Sequence, residues 1–426
     1  YADAHTVLPR GRVARYQQPG ATSEPVFKPV QALKEVPWTG AELKDPEAFR
    51  EEAPALQAAQ ALEWRTIREP EEGPDGFVQR EIVPHVVRGG SCCVLGKAGC
   101  GKTEALKAVE AALKGAGLTC AKICLTHVGT RNLGEGGETA HHFAMHRIMR
   151  GTFSGDVVLV DEISFVSLDL IAALEVLRLK GVRILCFGDF AQLPPISNRW
   201  QGCAAAPDVF EHSRLFRQWS DCTRFVLTRC RRSDVPHFAF YCGVKDRPFD
   251  EVLAEALERY PERREDATWN ITISHWRRKR LNESLQRKAA AAFEGPKVLV
   301  EGELEYTCFA GTRLVGCNSK HPQIVNGAFL LVLAVSAEGA VLRDDDTGKE
   351  FQVTRDALAK HTRLRWALTL CSVQGRSLAG TIAIHDVQSR HFGPTHLYVA
   401  LSRARDGGDV WLVRPRGHKR PMDDSE

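Results

Sequence analysis

The stretch Val94-Leu-Gly-Lys-Ala-Gly-Cys-Gly-Lys-Thr103 fits the pattern G-x-x-x-x-G-K-[ST]. The glycines of this pattern let successive backbone N–H groups turn inward around a polyphosphate, and the following helix adds the favourable dipole of its N-terminus. Lys102 would reach the β- and γ-phosphates, and the hydroxyl of Thr103 would bind Mg²⁺. The stretch therefore predicts a nucleoside triphosphate site.

The segments on either side of this loop support the prediction. Ser91 to Leu95 is a short apolar run that is typical of a buried strand, and Thr103 to Lys114 has apolar residues at helical spacing. A phosphate-binding loop requires this order of strand, loop and helix. We expect ATP to contact the loop and the first turn of the helix, which comprise Gly96, Lys97, Ala98, Gly99, Cys100, Gly101, Lys102, Thr103 and Glu104.

A further helix is predicted upstream of the loop. Phe77 to Val87 has an amphipathic pattern that is interrupted at Pro84. Gln79 lies where a glutamine could read the adenine base. A surface position on the same helix explains this glutamine nearly as well.

Length and composition indicate a globular protein of two or more domains. The chain has 426 residues, of which 43% are hydrophobic and 26% charged, and its formal net charge is +4. No apolar run is long enough to cross a membrane. The 13 cysteines include no C-x-x-C pair, which argues against a zinc cluster and favours core thiols in a reducing, intracellular compartment.

Two acidic residues end an apolar strand further along the chain. Val157 to Val160 runs directly into Asp161 and Glu162. A buried strand delivers such carboxylates to the sheet edge, where Asp161 can hold Mg²⁺ and Glu162 can polarise the attacking water. The stretch Gly188-Asp-Phe-Ala-Gln-Leu-Pro-Pro-Ile196 ends another strand, and Gln192 within it is placed to sense the γ-phosphate.

A glycine-rich loop follows the predicted strand Cys120 to Thr126. It runs from His127 to Glu138, and a loop after a strand of a parallel sheet lies at the edge where ligands bind. His141 and His142 come shortly afterwards. Because no third metal ligand is evident, polar loop contacts are favoured over a metal site.

Taken together, the motifs GKAGCGKT, DEIS and GDFAQLPP resemble those of superfamily 1B helicases of the PIF and RecD type. Four later stretches continue the resemblance in the family's order. The first of them, Leu227 to Asp234, has one residue fewer before its Asp than the family motif. In the third, Leu368 to Ser377, Cys371 replaces the family's histidine. The four stretches are Leu227 to Asp234, Ile273 to Asn282, Leu368 to Ser377 and Tyr398 to Arg405.

The resemblance implies an α/β fold with two RecA-like parallel-sheet P-loop domains and a small β-barrel inserted in the second. It implies that Lys102, Glu162 and Gln192 act with Arg403, the arginine finger. Either Arg231 or Arg232 would contact phosphate, and Gly375 would join the nucleotide site. It also implies nucleic-acid contacts from Thr126, His127, Thr139, His142, Phe143, Ser274, Ser372 and Gln374. Phe143 and Trp276 are candidates for stacking on bases, although each is more often a core residue.

The patterns divide the chain into five parts. An N-terminal arm (1–60) precedes the first RecA-like domain (61–212), and the second domain comprises 213–297 and 357–416. The inserted barrel (298–356) is predicted from short apolar runs separated by Gly, Asn and Asp turns. A short tail (417–426) ends the chain.

We expect an ATP-dependent and Mg²⁺-dependent DNA helicase that acts as a monomer on a single strand. The resemblance implies 5′-to-3′ movement and favours DNA over RNA, with no membrane partner. Accessory replication or repair proteins would suit such an enzyme, in the nucleus or at a cytoplasmic site of viral replication. The alternatives are an RNA or viral replicative helicase of the same superfamily, a nucleic-acid-stimulated ATPase without unwinding, and a catalytically silent binding subunit. The intact Lys102, Asp161, Glu162 and Arg403 argue against the last.

Overall fold

A seven-stranded parallel sheet occupies the first half of the described chain. The computed structural model describes residues 63–72, 74–195, 199–200, 203–204, 209–263, 265–318 and 320–414, so the predicted arm and tail lie outside it. The strands of this half are β1 (Arg65–Arg68), β2 (Cys93–Gly96), β3 (Cys120–Cys124), β4 (Gly137–Thr139), β5 (Val157–Val160), β6 (Arg183–Gly188), β7 (Arg199–Trp200), β8 (Cys203–Ala204) and β9 (Thr223–Leu227). The helices are α1 (Val83–Val87), α2 (Lys102–Gly115), α3 (His127–Asn132), α4 (Ala140–Phe143), α5 (Leu168–Leu179) and α6 (Arg214–Trp219), with π-helical turns at Val78–Ile82 and Ala144–Ile148 and a 3₁₀ turn at Ile163–Phe165.

The order of the large sheet is β1-β9-β2-β6-β5-β3-β4, and β7 and β8 form a separate antiparallel pair. All four residues of β5 are buried, as expected for a central strand with helices on both faces of the sheet. Strand β2 lies two positions from β5, with β6 between them. The loops that follow these three strands therefore meet at one edge of the sheet.

Strand β9 corrects the predicted boundary after residue 212. It pairs with both β1 and β2, and the side chains of Phe216 and Trp219 from α6 are buried with residues of other strands of the same sheet. The first structural unit thus extends to Leu227. Alternate residues of β9 are fully buried, so its local pattern fits a strand of either unit. Only its long-range pairing assigns it to the first.

The second half contains a smaller parallel sheet and two antiparallel ones. Its elements are α7 (Val235–Cys242), α8 (Phe249–Arg259), β10 (Trp269–Thr272), α9 (His275–Ala292), β11 (Lys297–Glu301), β12 (Glu305–Phe309), β13 (Arg313–Gly316), β14 (Phe329–Val335), β15 (Gly339–Asp344), β16 (Glu350–Thr354), α10 (Arg355–His361), β17 (Thr362–Leu364), β18 (Ala367–Thr369), β19 (Ile382–Ile384), α11 (Pro394–Leu401) and β20 (Val410–Leu412), with 3₁₀ turns at Leu370–Val373 and Gly407–Asp409.

The parallel sheet of this half has the order β18-β10-β19-β20. Between β10 and β18 the chain forms the hairpin β11-β12 and the antiparallel sheet β16-β15-β14-β13-β17, which share one apolar core. This inserted unit includes α10 and β17, so it extends beyond the boundary predicted at residue 356. Strand β17 pairs with β13, a contact across about fifty residues that the local sequence does not announce.

The predicted fold class is confirmed. Two parallel-sheet α/β units are present, and the antiparallel insertion interrupts the second. Within the described ranges, no helix combines the length and apolar character needed to span a bilayer.

Candidate nucleotide site and nucleic-acid surface

The loop between β2 and α2 has the backbone of a phosphate cradle. Gly99 and Gly101 have φ angles of 90° and 86°, a left-handed conformation that glycine adopts without strain. The side chain of Lys102 is buried beneath the loop, where its Nζ donates to the carbonyl oxygens of Gly96 at 2.8 Å and Lys97 at 3.2 Å. The charged end of Lys102 therefore lies within the loop that a polyphosphate would occupy.

The first carboxylate after β5 lies against the start of α2. The hydroxyl of Thr103 donates to Oδ2 of Asp161 at 3.1 Å, and Oδ1 of Asp161 accepts the backbone N–H of Glu162 at 2.9 Å. Burial raises the pKa of Asp161, against the lowering effect of Lys102. A buried carboxylate beside a hydroxyl is a set of hard oxygen donors that suits Mg²⁺, which binds few protein ligands and keeps the rest for water and phosphate. Thr103 and Asp161 therefore fit the predicted metal.

Glu162 is held in an uncommon conformation. Its φ of 53° is left-handed, which is costly for a residue with a Cβ and is found most often at functional sites. Burial, followed by the negative charge of Asp161, raises the pKa of Glu162 to about 7, while Lys102 and Arg403 act in the opposite direction. Oε2 of Glu162 lies 3.5 Å from Nε2 of Gln192, so the residues predicted to handle water and γ-phosphate are neighbours.

Arg403 approaches this site from the second unit. Its side chain is buried and donates to the carbonyl oxygens of Val399 at 2.9 Å and Arg376 at 3.0 Å. Burial lowers the pKa of Arg403 to about 10, with a further contribution from Arg232, while Glu162 raises it. The guanidinium also donates to the hydroxyl of Ser402 at 2.8 Å, so its charge is held by neutral oxygen atoms, as expected of a group kept ready for an anionic ligand.

The structure separates the two candidate arginines after β9. Arg231 forms an ion pair with Glu69 and donates to the carbonyl oxygen of Cys100 at 2.7 Å, so it supports the phosphate loop. Arg232 instead donates to Ser377 Oγ at 3.0 Å and to the carbonyl oxygen of Ser402 at 2.5 Å. Both arginines follow β9, which is a strand of the first sheet, and this corrects the expectation that they belong to the second unit. Arg232 is therefore the arginine that contacts the second unit across the boundary between the two units.

A cavity of about 520 Å³ opens beside the phosphate loop. It is lined by Gln79, Gly101, Glu104 and Arg231, among others, and its volume is that of a typical small-ligand pocket. Gln79 belongs to the π-helical turn Val78–Ile82, which continues into α1 without the interruption expected at Pro84. A nucleobase attached to phosphates in the loop would enter this cavity.

Most of the residues predicted to contact nucleic acid lie on or near the surface. Their polar groups hydrogen-bond with residues that are close in the sequence. Thr126, Thr139 and Ser274 accept backbone N–H groups as the N-caps of α3, α4 and α9. Ser372 hydrogen-bonds with Thr369 at 2.8 Å. His142 is exposed and pairs with Glu138 at 2.9 Å, and His127 is partly buried. Among the described residues, no group of three or more His, Cys, Asp or Glu side chains is arranged to hold a metal ion.

Two of the predicted nucleic-acid residues are corrected. Phe143 is only 1% exposed and packs edge-on against Phe153, so it belongs to the core of the first unit and cannot stack on a base. Gln374 is buried, and its Nε2 lies 3.4 Å from Oε1 of Gln192. Gln374 therefore faces the nucleotide site, as does its neighbour Gly375, where an added Cβ would lie 3.9 Å from Oε1 of Glu162.

Sequence reasoning assigned no role to three buried residues that join the two units, namely Tyr241, Tyr398 and Asp189. Tyr398 and Tyr241, from helices of the second unit, hydrogen-bond with the backbone of Ala98 in the phosphate loop, and Tyr398 also donates to Asp189. Tyr398 opens a motif quoted above. The sequence pointed to a role for its hydroxyl only through Arg403, which belongs to the same motif.

These features define a P-loop protein with two parallel-sheet units that meet at the nucleotide site. Residues 77–236 match a family model described as an AAA domain. Among solved structures, a Pif1 helicase from Candida albicans matches with a TM-score of 0.60 and 17% identity, over 81% of this chain and 95% of that chain. Bacteroides Pif1 bound to single-stranded DNA gives 0.56 and 21%, over 79% and 92%. Bacteroides Pif1 in complex with ADP-AlF3 and single-stranded DNA gives 0.57 and 19%, over the same shares.

The chain thus has the fold of PIF-type superfamily 1B helicases, and the resemblance predicted from its motifs is confirmed at this level. No significant match was found among curated protein sequences.

Proposed function

We propose that this protein is an ATP-dependent DNA helicase that moves along single-stranded DNA in the 5′-to-3′ direction. One observation carries the proposal: catalytic candidates from both units converge on one site. Glu162 and Gln192 come from the first unit, while Gln374 and Arg403 come from the second. Hydrolysis at such a site depends on how the two units are arranged, which is what a motor requires.

The chemistry follows from the residues of the site. Lys102 would bind the phosphate oxygens, and Glu162 in its ionised form would orient and polarise the attacking water. Mg²⁺ held by Thr103 and Asp161 would neutralise charge on the phosphates. Arg403 would stabilise the negative charge that develops in the transition state, because the partners of its guanidinium are uncharged carbonyl and hydroxyl oxygens.

A single strand would cross the two units at the carboxyl edges of their sheets. Thr126 is exposed there on the first unit, and Ser274 and Ser372 lie on the second. Trp276 is 59% exposed, and the guanidinium of Arg280 lies 4.8 Å from its ring centroid. An exposed indole next to a positive charge suits stacking on a base, with the phosphate held nearby. The DNA preference and the polarity of the proposal rest on likeness in fold to the Pif1 helicases, one of which is described as bound to single-stranded DNA.

The first test is the steady-state ATPase rate without polymer, with single-stranded DNA and with single-stranded RNA, at matched salt. Stimulation by DNA alone supports the proposal, whereas stimulation by RNA alone contradicts the DNA preference. Duplexes with a 5′ or a 3′ single-stranded tail then measure unwinding and polarity. Stimulated hydrolysis without unwinding of either duplex would identify a nucleic-acid-dependent ATPase instead. Lys102→Ala is the matched control for contaminating activity.

A further inference from the structure

The hydroxyl of Tyr398 joins two loops of the first unit. Tyr398 lies in α11 of the second unit and is fully buried. Its hydroxyl accepts the backbone N–H of Ala98 at 2.8 Å and donates to Oδ2 of Asp189. Ala98 belongs to the phosphate loop, and Asp189 directly follows β6. One hydroxyl from across the cleft therefore links the phosphate loop to the loop that carries Gln192.

A second tyrosine holds the same residue of the phosphate loop. Tyr241, in α7, is also fully buried, and its hydroxyl donates to the carbonyl oxygen of Ala98 at 2.9 Å. The rings of Tyr241 and Tyr398 pack edge to face with centroids 5.8 Å apart. Both backbone polar groups of Ala98 are thus bound by the second unit, so this part of the loop keeps these two hydrogen bonds only while the two units are in contact.

Asp189 carries this link onward to the catalytic residues. Its Oδ1 accepts the N–H of Ala191 at 3.0 Å, and its carbonyl oxygen accepts the N–H of Gln192 at 3.1 Å. The amide of Gln192 lies 3.5 Å from both Asp189 and Glu162. A continuous set of buried and partly buried polar contacts thus runs from the phosphate loop, through Tyr398, to the glutamate proposed to orient water.

We propose that Tyr398 is a positioning residue that sets the phosphate loop and Gln192 together when the two units close. This inference rests on the proposed function and adds to it the means by which closure reaches the catalytic residues. Tyr398 contacts neither the reacting atoms nor the proposed metal ligands. It acts through Ala98 and Asp189, so removing its hydroxyl should slow hydrolysis in the closed state without weakening binding of the nucleotide by Lys102 and Thr103.

Tyr398→Phe tests this, because it removes the hydroxyl and keeps the ring. We expect kcat for ATP to fall by at least about tenfold, as for loss of a buried hydrogen bond to a charged group, while KM changes by less than about twofold. Tyr306→Phe, which removes another buried hydroxyl in the inserted unit, is the matched control. If Tyr398→Phe does not fold, Asp189→Asn breaks the same link from its other end and is expected to give the same split.

Hydrogen exchange in the nucleotide-free full chain gives a readout that does not depend on activity. The peptide that carries the Ala98 amide should exchange at least about tenfold faster in Tyr398→Phe than in the wild type or in Tyr306→Phe. Unchanged exchange, unchanged kcat, or a rise in KM with kcat preserved would each overturn the inference. A wild-type chain that hydrolyses no ATP would refute the proposed function, whereas the exchange result would still report on the link.

Discussion

Glu162→Gln should lower activity and raise the stability of the nucleotide-free protein. Glutamine keeps the size and shape of the side chain and removes its charge. Without an ionised carboxylate to polarise water, we expect stimulated ATP hydrolysis to fall by about 10²- to 10⁴-fold. Stability should rise because burial and the charge of Asp161 both oppose ionisation of Glu162 in the folded state.

The size and the pH dependence of the stabilising effect follow from the pKa of Glu162. That pKa is raised from 4.5 to about 7 on folding, so the folded state binds this proton more tightly than the unfolded state does. Stability is therefore lost as the pH rises from about 4.5 to about 7. At pH 8 the penalty is at most about 3 kcal/mol, and at pH 5 it is about 1 kcal/mol or less. The substitution should recover most of this difference.

Thermal melting without nucleotide and with EDTA, at pH 8 and at pH 5, measures the effect. We expect the variant to melt above the wild type at pH 8, with a smaller gap at pH 5. A variant that melts at or below the wild-type temperature at pH 8 would refute the electrostatic reasoning. A variant that keeps near-full turnover would remove Glu162 from its proposed role. Glu104→Gln, on the exposed side of the first turn of α2, is a suitable control for the melting measurement because its carboxylate pairs with Lys107 at the surface.

Three further outcomes are expected. Lys102→Ala should abolish ATP hydrolysis while keeping much of the binding to single-stranded DNA, as measured by fluorescence anisotropy, and near-full turnover would contradict the catalytic assignment. Arg403→Ala should keep ATP binding and lose on the order of a thousandfold in stimulated turnover. Arg403→Lys, which keeps a positive charge among the same carbonyls, checks that the loss does not come from misfolding. An unchanged rate in Arg403→Ala would exclude an arginine finger. Trp276→Ala should weaken binding of single-stranded DNA by about 1–3 kcal/mol with little effect on unstimulated hydrolysis, whereas Trp276→Phe should recover part of the loss. Unchanged affinity in both Trp276 variants would remove base stacking at this residue.

Local chemistry made a large part of the site predictable. A phosphate loop needs glycines at left-handed positions, and Gly99 and Gly101 adopt that conformation. A carboxylate that follows another strand of the same sheet can reach the first turn of α2, and Asp161 lies at such a position. These requirements act over a few residues, so the sequence by itself determined the order of strand, loop and helix and indicated the residues that we propose to bind the phosphates.

Contacts between distant parts of the chain decided the rest. The position of β9 between β1 and β2 places Arg231 against the phosphate loop and lets Arg232 reach the other unit. Packing also takes Phe143 into the core.

The polar contacts between the two units also join residues that lie far apart in the sequence. Gln374 is directed at Gln192 by the packing of one unit against the other, and Tyr398 meets Ala98, which lies 300 residues earlier in the chain. Burial and hydrogen-bond partners across such separations depend on how whole sheets pack. No local pattern encodes them, so the tertiary structure alone decided which side chains join the two units at the nucleotide site.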